Sequence, residues 1–275
     1  MPDDSLVLPF CDPRCRQVAL AGGKGASLAT MTAEDLPVPP GFVIASTAFE
    51  AAVDADALRT LMRNRDVEAA QAMVATAEPP KELIKRHYAE LTGLVAVRSS
   101  ACAEDSEAAS YAGQQETYLN TDGLGEVLAN VVRCWLSFFT ERAVFYRQEK
   151  GSLDDVAMAV VVQQMVDSKK SGVLFTVDPV HGRKDRMVVE AARGLGEAVV
   201  SGEVTPDNYA LSRDGVVKKS RVVGAEPVLS DAECAALATL GRQLADLHGG
   251  PQDIEWAFDA DGRLFLLQSR PITTI

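Results

Sequence analysis

The sequence predicts a mixed α/β (α+β) protein, because strand-like and helix-like segments alternate along the chain. Apolar runs of strand length occur at 94–100, 156–166, 171–179 and 187–191. Segments rich in good helix formers or with apolar residues at helical spacing occur at 47–92, 123–150 and 231–247. With 275 residues the chain can bury a substantial core, so we expect one large domain of two lobes, or two domains.

The charge balance and the apolar runs exclude several classes of protein. The net charge of −12 argues against a nucleic acid or an anionic membrane surface as partner, since those are bound by excess Lys and Arg. The longest apolar run, at 156–162, is too short to span a bilayer, and the acidic start at 1–4 does not resemble a signal peptide. The five cysteines are scattered and odd in number, which indicates free thiols. We therefore expect a cytoplasmic protein.

Two of the predicted helices have recognisable faces or ends. Trp135, Phe138, Phe139, Val144 and Phe145 recur at helical spacing within 123–150 and are expected in the core. The helix at 231–247 is expected to begin with Asp231 as its N-cap.

A glycine cluster at 22–25 surrounds Lys24 and opens a helix-compatible segment. A glycine-rich turn at a helix N-terminus exposes backbone N–H groups, and Lys24 adds a positive charge, so the pattern suits a phosphate. The Walker pattern is absent, because Gly25 follows Lys24 where Ser or Thr would stand. A flexible turn without a ligand is the alternative interpretation.

Two polar side chains occur in otherwise apolar strands. Arg98 follows an apolar run and precedes two serines, which suits an anion clamp, although a structural ion pair with nearby acids is equally compatible. Gln163 interrupts the run at 156–166. A buried amide needs partners, so Gln163 either pairs with neighbouring backbone or reaches into a ligand cleft.

The end of the chain predicts a β-hairpin. Asp261 and Gly262 stand between two runs rich in apolar and aromatic residues, and this dipeptide favours a two-residue type I′ turn. Such a turn would pair Ala260 with Arg263 and fix the register of the residues further out.

In that register Glu255 lies opposite Gln268, and Asp253 lies opposite Arg270. Because side chains alternate along a strand, these four polar groups would share one face. Two carboxylates, an amide and a guanidinium suit a divalent cation and phosphate oxygens. A solvated hairpin face is the alternative.

Several segments, in order along the chain, together resemble the ATP-binding domain of phosphoenolpyruvate synthase, pyruvate phosphate dikinase and rifampin phosphotransferase. They are GGK at 22–24, PPGF at 39–42, VRSSA at 97–101, EDS at 104–106, AGQQET at 112–117, GVLFT at 172–176, GLGE at 194–197, QDIEW at 252–256 and QSRP at 268–271. The resemblance implies an ATP-grasp fold with ATP and Mg²⁺ between two lobes, here 1–166 and 167–275.

The resemblance also implies a role for each matching residue. Lys24 and Arg98 would hold ATP phosphates, Gly113 and Thr117 would line the nucleotide pocket, and Gln163 would lie on the adenine side. Glu255 and Gln268 would bind Mg²⁺, Arg270 would contact the transferring phosphate, and Asp253 would support Arg270. Lys24, Arg98 and Arg270 would thus be the catalytic residues.

The family implies a dikinase-type enzyme that cleaves ATP to AMP and phosphate and phosphorylates a histidine on a separate carrier domain or subunit. A substrate-binding domain and a small-molecule acceptor would complete the reaction. None of the three histidines matches the carrier pattern, so the chain would be a separate subunit or part of a longer enzyme. A phosphoenolpyruvate-synthase-like activity is expected first. Antibiotic phosphorylation of the rifampin type, phenol phosphorylation and a non-catalytic ATP-binding subunit remain alternatives.

Overall fold

The computed structural model describes residues 4–102, 116–149, 156–196, 202 and 204–273. The chain forms two compact units: unit 1 comprises Met1–Glu34 and Pro40–Met165, and unit 2 comprises Asp35–Pro39 and Val166–Ile275. Residues 35–39 belong to unit 2, where the carbonyl of Pro37 accepts a hydrogen bond from the N–H of Leu266 at 2.8 Å. Sequence patterns do not show this, because the two partners are far apart in the chain.

Unit 1 is built on a five-stranded antiparallel sheet in the order β1-β2-β5-β3-β4. Its strands are β1 (Val7–Pro9), β2 (Gly41–Ile44), β3 (Val95–Ala101), β4 (Thr117–Thr121) and β5 (Met158–Gln164). Its helices are a short 3-10 helix (Pro13–Arg16), α1 (Val18–Ala33), α2 (Ser46–Ala52), α3 (Ala55–Arg63), α4 (Val67–Ala75), α5 (Lys81–Tyr88), α6 (Gly123–Ser137) and α7 (Glu141–Glu149).

One face of this sheet carries the main apolar core of unit 1. Val95, Val97 and Val160 from the strands join Phe49 of α2 and Trp135 of α6 in a single buried cluster. The helical prediction for 123–150 is confirmed, as is the burial of Trp135, Phe138, Phe139 and Val144. The prediction for Phe145 is wrong: its side chain is 65% exposed on α7. Periodicity alone did not reveal that the apolar face of α7 is narrower than its sequence suggests.

Unit 2 is built on a six-stranded antiparallel sheet in the order β11-β10-β6-β7-β8-β9. Its elements are β6 (Lys170–Phe175), β7 (Arg186–Arg193), β8 (Asp207–Ser212), β9 (Val217–Arg221), α8 (Asp231–Leu247), β10 (Gln252–Phe258) and β11 (Leu264–Pro271). Two sheets with covering helices confirm the predicted mixed α/β class.

Helix α8 packs against one face of the unit 2 sheet. A Cβ placed on Gly241 would lie 2.9 Å from Leu174 of β6 and 3.4 Å from Met187 of β7, so the helix backbone approaches these strands closely. The N-cap of α8 is Ser230, not the predicted Asp231: Ser230 accepts from the N–H of Glu233, and Glu233 accepts from the N–H of Ser230. This capping box satisfies two N–H groups at the helix start.

The hairpin turn differs from the prediction. Asp259 pairs with Arg263, and its side chain accepts from the N–H groups of Asp261 and Arg263 at 2.9 Å each. The loop therefore holds three residues, 260–262, and its last residue, Gly262, takes φ +76°. A two-residue type I′ turn would need positive φ at Asp261 as well, which is not observed. The predicted pairing of Ala260 with Arg263 is wrong.

Further from the turn, a β-bulge brings the two strands back to the predicted register. Trp256 pairs with Leu266, but the next pair joins Glu255 to Gln268, so Leu267 is the extra residue on β11. The one-residue difference at the turn and the extra residue at the bulge cancel, so Glu255 lies opposite Gln268 as predicted.

Two further observations concern the described residues. No helix there has both the length and the apolar character needed to cross a membrane. All five cysteines are free thiols.

Candidate functional site

The start of α1 carries the predicted phosphate-binding glycines and contains a backbone break. Gly22 adopts φ 67° and ψ 172°, a conformation outside the helical region, and the helix continues after it. A Cβ at this position would lie 2.3 Å from the carbonyl oxygen of Ser100 and 2.2 Å from its Oγ. Only glycine allows α1 to approach β3 this closely.

Hydrogen bonds join α1 to the end of β3 at this contact. Ser100 Oγ donates to the carbonyl of Ala21 at 2.8 Å and accepts from the N–H of Gly25 at 3.2 Å. Lys24 Nζ donates to the carbonyl of Ser99 at 3.0 Å. The ammonium group of Lys24 is therefore held beside the strand that carries Arg98, although about seventy residues separate the two in sequence.

Arg98, Thr117 and Gln163 share one face of the unit 1 sheet. Arg98 lies opposite Thr117 on β4 and opposite Val161 on β5, and Gln163 is two residues further along β5. This is the face on which α1 packs, because a Cβ on Gly25 would contact Val43, the strand partner of Val161. Thr117 is exposed, Arg98 is 9% exposed and Gln163 is 2% exposed.

The amide of Gln163 is buried in an unusual way. Its Nε2 has no hydrogen-bond partner among the residues that the structure describes. A buried amide N–H without a partner costs on the order of 1–3 kcal/mol, which a ligand acceptor would recover. Of the two interpretations open at the sequence level, the geometry favours the ligand cleft. Gly113, the remaining predicted nucleotide residue, lies outside the described residues.

In unit 2, the four polar residues of the hairpin share one face as predicted. Glu255 lies opposite Gln268, and Asp253 lies opposite Arg270. Arg270 Nε donates a hydrogen bond to Asp253 Oδ2 at 2.8 Å, and Arg270 Nη2 lies 2.8 Å from the same oxygen. The side chain of Arg270 is 59% exposed and that of Asp253 is 12% exposed, so a largely buried carboxylate holds a largely exposed cationic side chain.

Without a bound cation, the ionised form of Asp253 is disfavoured on this face. Burial and the neighbouring charge of Glu255 raise the pKa of Asp253, although Arg270 acts in the opposite direction. A bound cation on this face would relieve the repulsion between the two carboxylates.

The oxygen donors present suit Mg²⁺, which prefers carboxylate, amide, phosphate and water oxygens. Glu255 supplies a carboxylate, and Gln268, which is 8% exposed, supplies an amide oxygen. No cluster of three or more His, Cys, Asp or Glu side chains suitable for a metal occurs in the described parts of the chain. A metal held here would therefore need oxygens from its ligand, as expected for a nucleotide-bound Mg²⁺.

Sequence reasoning did not single out the part played by Ser100 in joining β3 to α1. The only sequence signal was the pair of hydroxyls after Arg98, and nothing local indicated that Gly22 would be their partner. The contact depends on residues that are 78 positions apart, Gly22 and Ser100.

Comparison with known proteins identifies the family of the chain. The family described as pyruvate phosphate dikinase, AMP/ATP-binding domain, matches residues 18–226 and 212–275. A probable phosphoenolpyruvate synthase of Archaeoglobus fulgidus is 42% identical over 316 residues, covering 98% of this chain and 42% of that protein. A rifampicin phosphotransferase of Streptomyces sviceus is 40% identical over 306 residues, covering 94% of this chain and 35% of that protein. The chain spans less than half the length of these relatives.

Among solved structures, biotin carboxylase from Campylobacter jejuni is similar at 9% identity and a TM-score of 0.43, covering 94% of this chain and 40% of that chain. The family match covers nearly the whole sequence and includes every strand of both sheets except β1. The chain therefore has a mixed α/β fold and belongs to the family of the pyruvate phosphate dikinase AMP/ATP-binding domain.

Proposed function

We propose that this chain is the ATP- and Mg²⁺-binding catalytic module of a dikinase-type phosphotransferase with phosphoenolpyruvate-synthase-like activity. The observation that carries the proposal is the hairpin face, where Glu255 neighbours Gln268 and the Asp253–Arg270 ion pair lies next to them. A hard-metal donor pair beside an outward-facing guanidinium group is suited to phosphoryl transfer.

The proposed residues of unit 1 bind the adenine and the phosphates of the nucleotide. Lys24 and Arg98 supply positive charge to the phosphates, and Thr117, an exposed residue, lies opposite Arg98. The Nε2 of Gln163, which has no hydrogen-bond partner among the described residues, donates to an acceptor nitrogen of adenine. Gly113 belongs to the same proposed pocket on the strength of the family resemblance.

The residues of unit 2 act on the phosphate chain. Glu255 and Gln268 hold the metal, which when bound neutralises charge on the β- and γ-phosphate oxygens. Arg270 stabilises the negative charge that develops on the transferring group, and Asp253 keeps its guanidinium group in place. Arg98 and Lys24 have the same electrostatic role towards the other phosphate oxygens.

The phosphoryl acceptor is a histidine on a separate carrier domain or subunit. Two phosphoanhydride bonds of ATP break: the β-phosphoryl group passes to that histidine, the γ-phosphate passes to water, and AMP is released. Within the described residues, His87 and His248 each have one buried ring nitrogen without a hydrogen-bond partner, and His181 Nδ1 lies 2.9 Å from Asp178 Oδ2. The carrier then passes its phosphoryl group to a small-molecule acceptor on a substrate-binding domain.

The experiment mixes the purified chain with ATP labelled at the β-phosphate, Mg²⁺ and a histidine-bearing carrier domain taken from a phosphoenolpyruvate synthase. AMP and ADP are separated by chromatography, and acid-labile label is measured on both proteins. We expect AMP to form and the carrier to be labelled. The chain alone should bind Mg²⁺-ATP, hydrolyse it slowly and carry no stable label.

Two variants make this test specific. Glu255→Ala should abolish Mg²⁺-dependent AMP formation while leaving the affinity for metal-free ATP nearly unchanged, because it removes a metal ligand only. Glu226→Ala is the matched control, since Glu226 is an exposed glutamate of unit 2 outside the hairpin. Formation of ADP without carrier labelling, or full activity of Glu255→Ala, would contradict the proposed function.

A further inference from the structure

A row of side chains extends across the unit 2 sheet beyond the proposed metal ligands. Gln268 lies opposite Glu255, Glu255 opposite Val173, Val173 opposite Glu190, and Glu190 opposite Asn208. Directly opposed residues in antiparallel strands project from the same face. Glu190 and Asn208 therefore project from the same face as the proposed metal ligands.

This face is the one opposite α8. The neighbours of Glu190 along β7, Val189 and Ala191, are buried at 0% and 1% exposure. Leu174, the strand partner of Val189, is among the residues that α8 approaches. Glu190 is half-buried and projects away from this core, as does Asn208.

Glu190 and Asn208 are two polar side chains that make no hydrogen bond and no ion pair within the described part of the chain. Asp207, the residue before Asn208 on the other face, is a contrast: it accepts from the N–H groups of Val223 and Val228 and from the hydroxyl of Tyr209. A half-buried carboxylate and amide side by side in mid-sheet are thus available to a ligand.

We propose that Glu190 and Asn208 bind the ribose hydroxyls of the nucleotide, an inference that rests on the proposed ATP-binding function. A carboxylate accepts hydrogen bonds from two adjacent hydroxyls, and an amide both donates and accepts. Adjacent strands are about 4.8 Å apart, so Glu190 lies roughly 10 Å from Glu255 along the row. This spacing leaves room for the ribose ring and the α-phosphate between the ribose hydroxyls and the metal.

The residue between the two polar pairs fits the same arrangement. Val173 is 8% exposed and has no polar side-chain atom, so it forms a small apolar surface between the side chains of Glu255 and Glu190. A sugar ring packed there would bring its hydroxyl edge to Glu190. The phosphates would continue towards Glu255 and Gln268.

The test measures the affinity of the purified chain for ATP, 2′-deoxy-ATP and 3′-deoxy-ATP with Mg²⁺ by calorimetry. The wild-type chain should bind ATP about tenfold more tightly than at least one of the deoxy nucleotides, the expected effect of a hydrogen bond to a charged acceptor. In Glu190→Gln, and independently in Asn208→Ala, this preference should fall to about twofold or less. The affinity of each variant for the deoxy nucleotide should stay at the wild-type value.

Glu226→Gln is the matched control and should keep the wild-type preference. Equal binding of all three nucleotides by the wild-type chain would overturn the ribose site and leave the nucleotide function standing. An unchanged preference in both Glu190→Gln and Asn208→Ala would also overturn it. Failure of the wild-type chain to bind ATP at all would overturn the proposed function and the ribose site together.

Discussion

Replacing Gly22 by alanine tests the packing that places Lys24 beside β3. The substitution puts a Cβ on a residue with φ 67° and ψ 172°, a backbone conformation that is essentially restricted to glycine. The added atom would lie 2.3 Å from the Ser100 carbonyl oxygen and 2.2 Å from its Oγ, both well inside contact distance. The backbone oxygen cannot rotate away, so α1 and β3 must separate.

The size of the effect follows from two terms. The unfavourable backbone conformation costs on the order of 1–3 kcal/mol, and forcing an extra methyl group into a packed contact costs about 1–3 kcal/mol more. The lower entropy of the unfolded alanine chain returns about 0.4–1 kcal/mol. We expect Gly22→Ala to lower the free energy of unfolding of unit 1 by about 3 kcal/mol and to weaken ATP binding.

Gly125→Ala is the matched control. Gly125 lies in α6, also in unit 1, its φ is not positive, and a Cβ there would meet nothing within 4 Å. Because alanine has a higher helix propensity than glycine and Gly125 lies in the first turn of α6, Gly125→Ala should leave the free energy of unfolding unchanged or raise it by up to about 1 kcal/mol.

The assay is urea unfolding followed by tryptophan fluorescence. The chain has two tryptophans, Trp135 in unit 1 and Trp256 in unit 2, so a Trp256→Phe background leaves a signal from unit 1 alone. If Gly22→Ala stayed within about 0.5 kcal/mol of its parent, the reasoning from backbone conformation and close approach would be refuted.

Two further predictions concern one residue from each unit. Glu233 accepts from Lys170 Nζ at 2.7 and 2.8 Å; burial opposes its ionisation, but the hydrogen bonds from Lys170 and Ser230 lower its pKa. The ionised Glu233 should stabilise the fold by about 2 kcal/mol. This stabilisation should be complete above the usual glutamate pKa and should be lost as the pH falls through the lowered pKa. The wild-type chain should therefore have a higher urea midpoint than Glu233→Gln at neutral pH, and this difference should vanish on acidification. Arg98→Lys should reduce kcat/KM for AMP formation on the order of a hundredfold, because lysine cannot copy the planar fork of the guanidinium group. Wild-type kinetics would instead favour a structural ion pair.

The sequence by itself predicted the elements whose residues face one consistent environment. β3 and β5 are apolar runs because both faces of their sheet are covered, and the stretch 47–92 is helical as its helix-forming residues predict. Its composition marked a break only at Pro79 and Pro80, whereas the structure also interrupts the helices at 53–54 and 64–66. The family resemblance of the ordered motifs was also correct, and the family match confirms it.

The hairpin shows the limit of local reasoning. The Asp261-Gly262 pair indicated the reversal of the chain, but the side chain of Asp259 organised a three-residue loop. The pairing of Glu255 with Gln268 was still correct, because a bulge at Leu267 offsets the difference. Turn types that differ by one residue have similar sequences, and neighbouring strands decide where the compensation falls.

Only the tertiary structure decided which distant residues come together. The contact of Gly22 with Ser100, the hydrogen bond from Lys24 to Ser99 and the alignment of Glu190 with Glu255 across the intervening strand all depend on sheet order and register. Local patterns report whether a residue is buried and which way the chain turns there. They carry no information about which strand lies beside another, because that choice is made by the packing of the whole core.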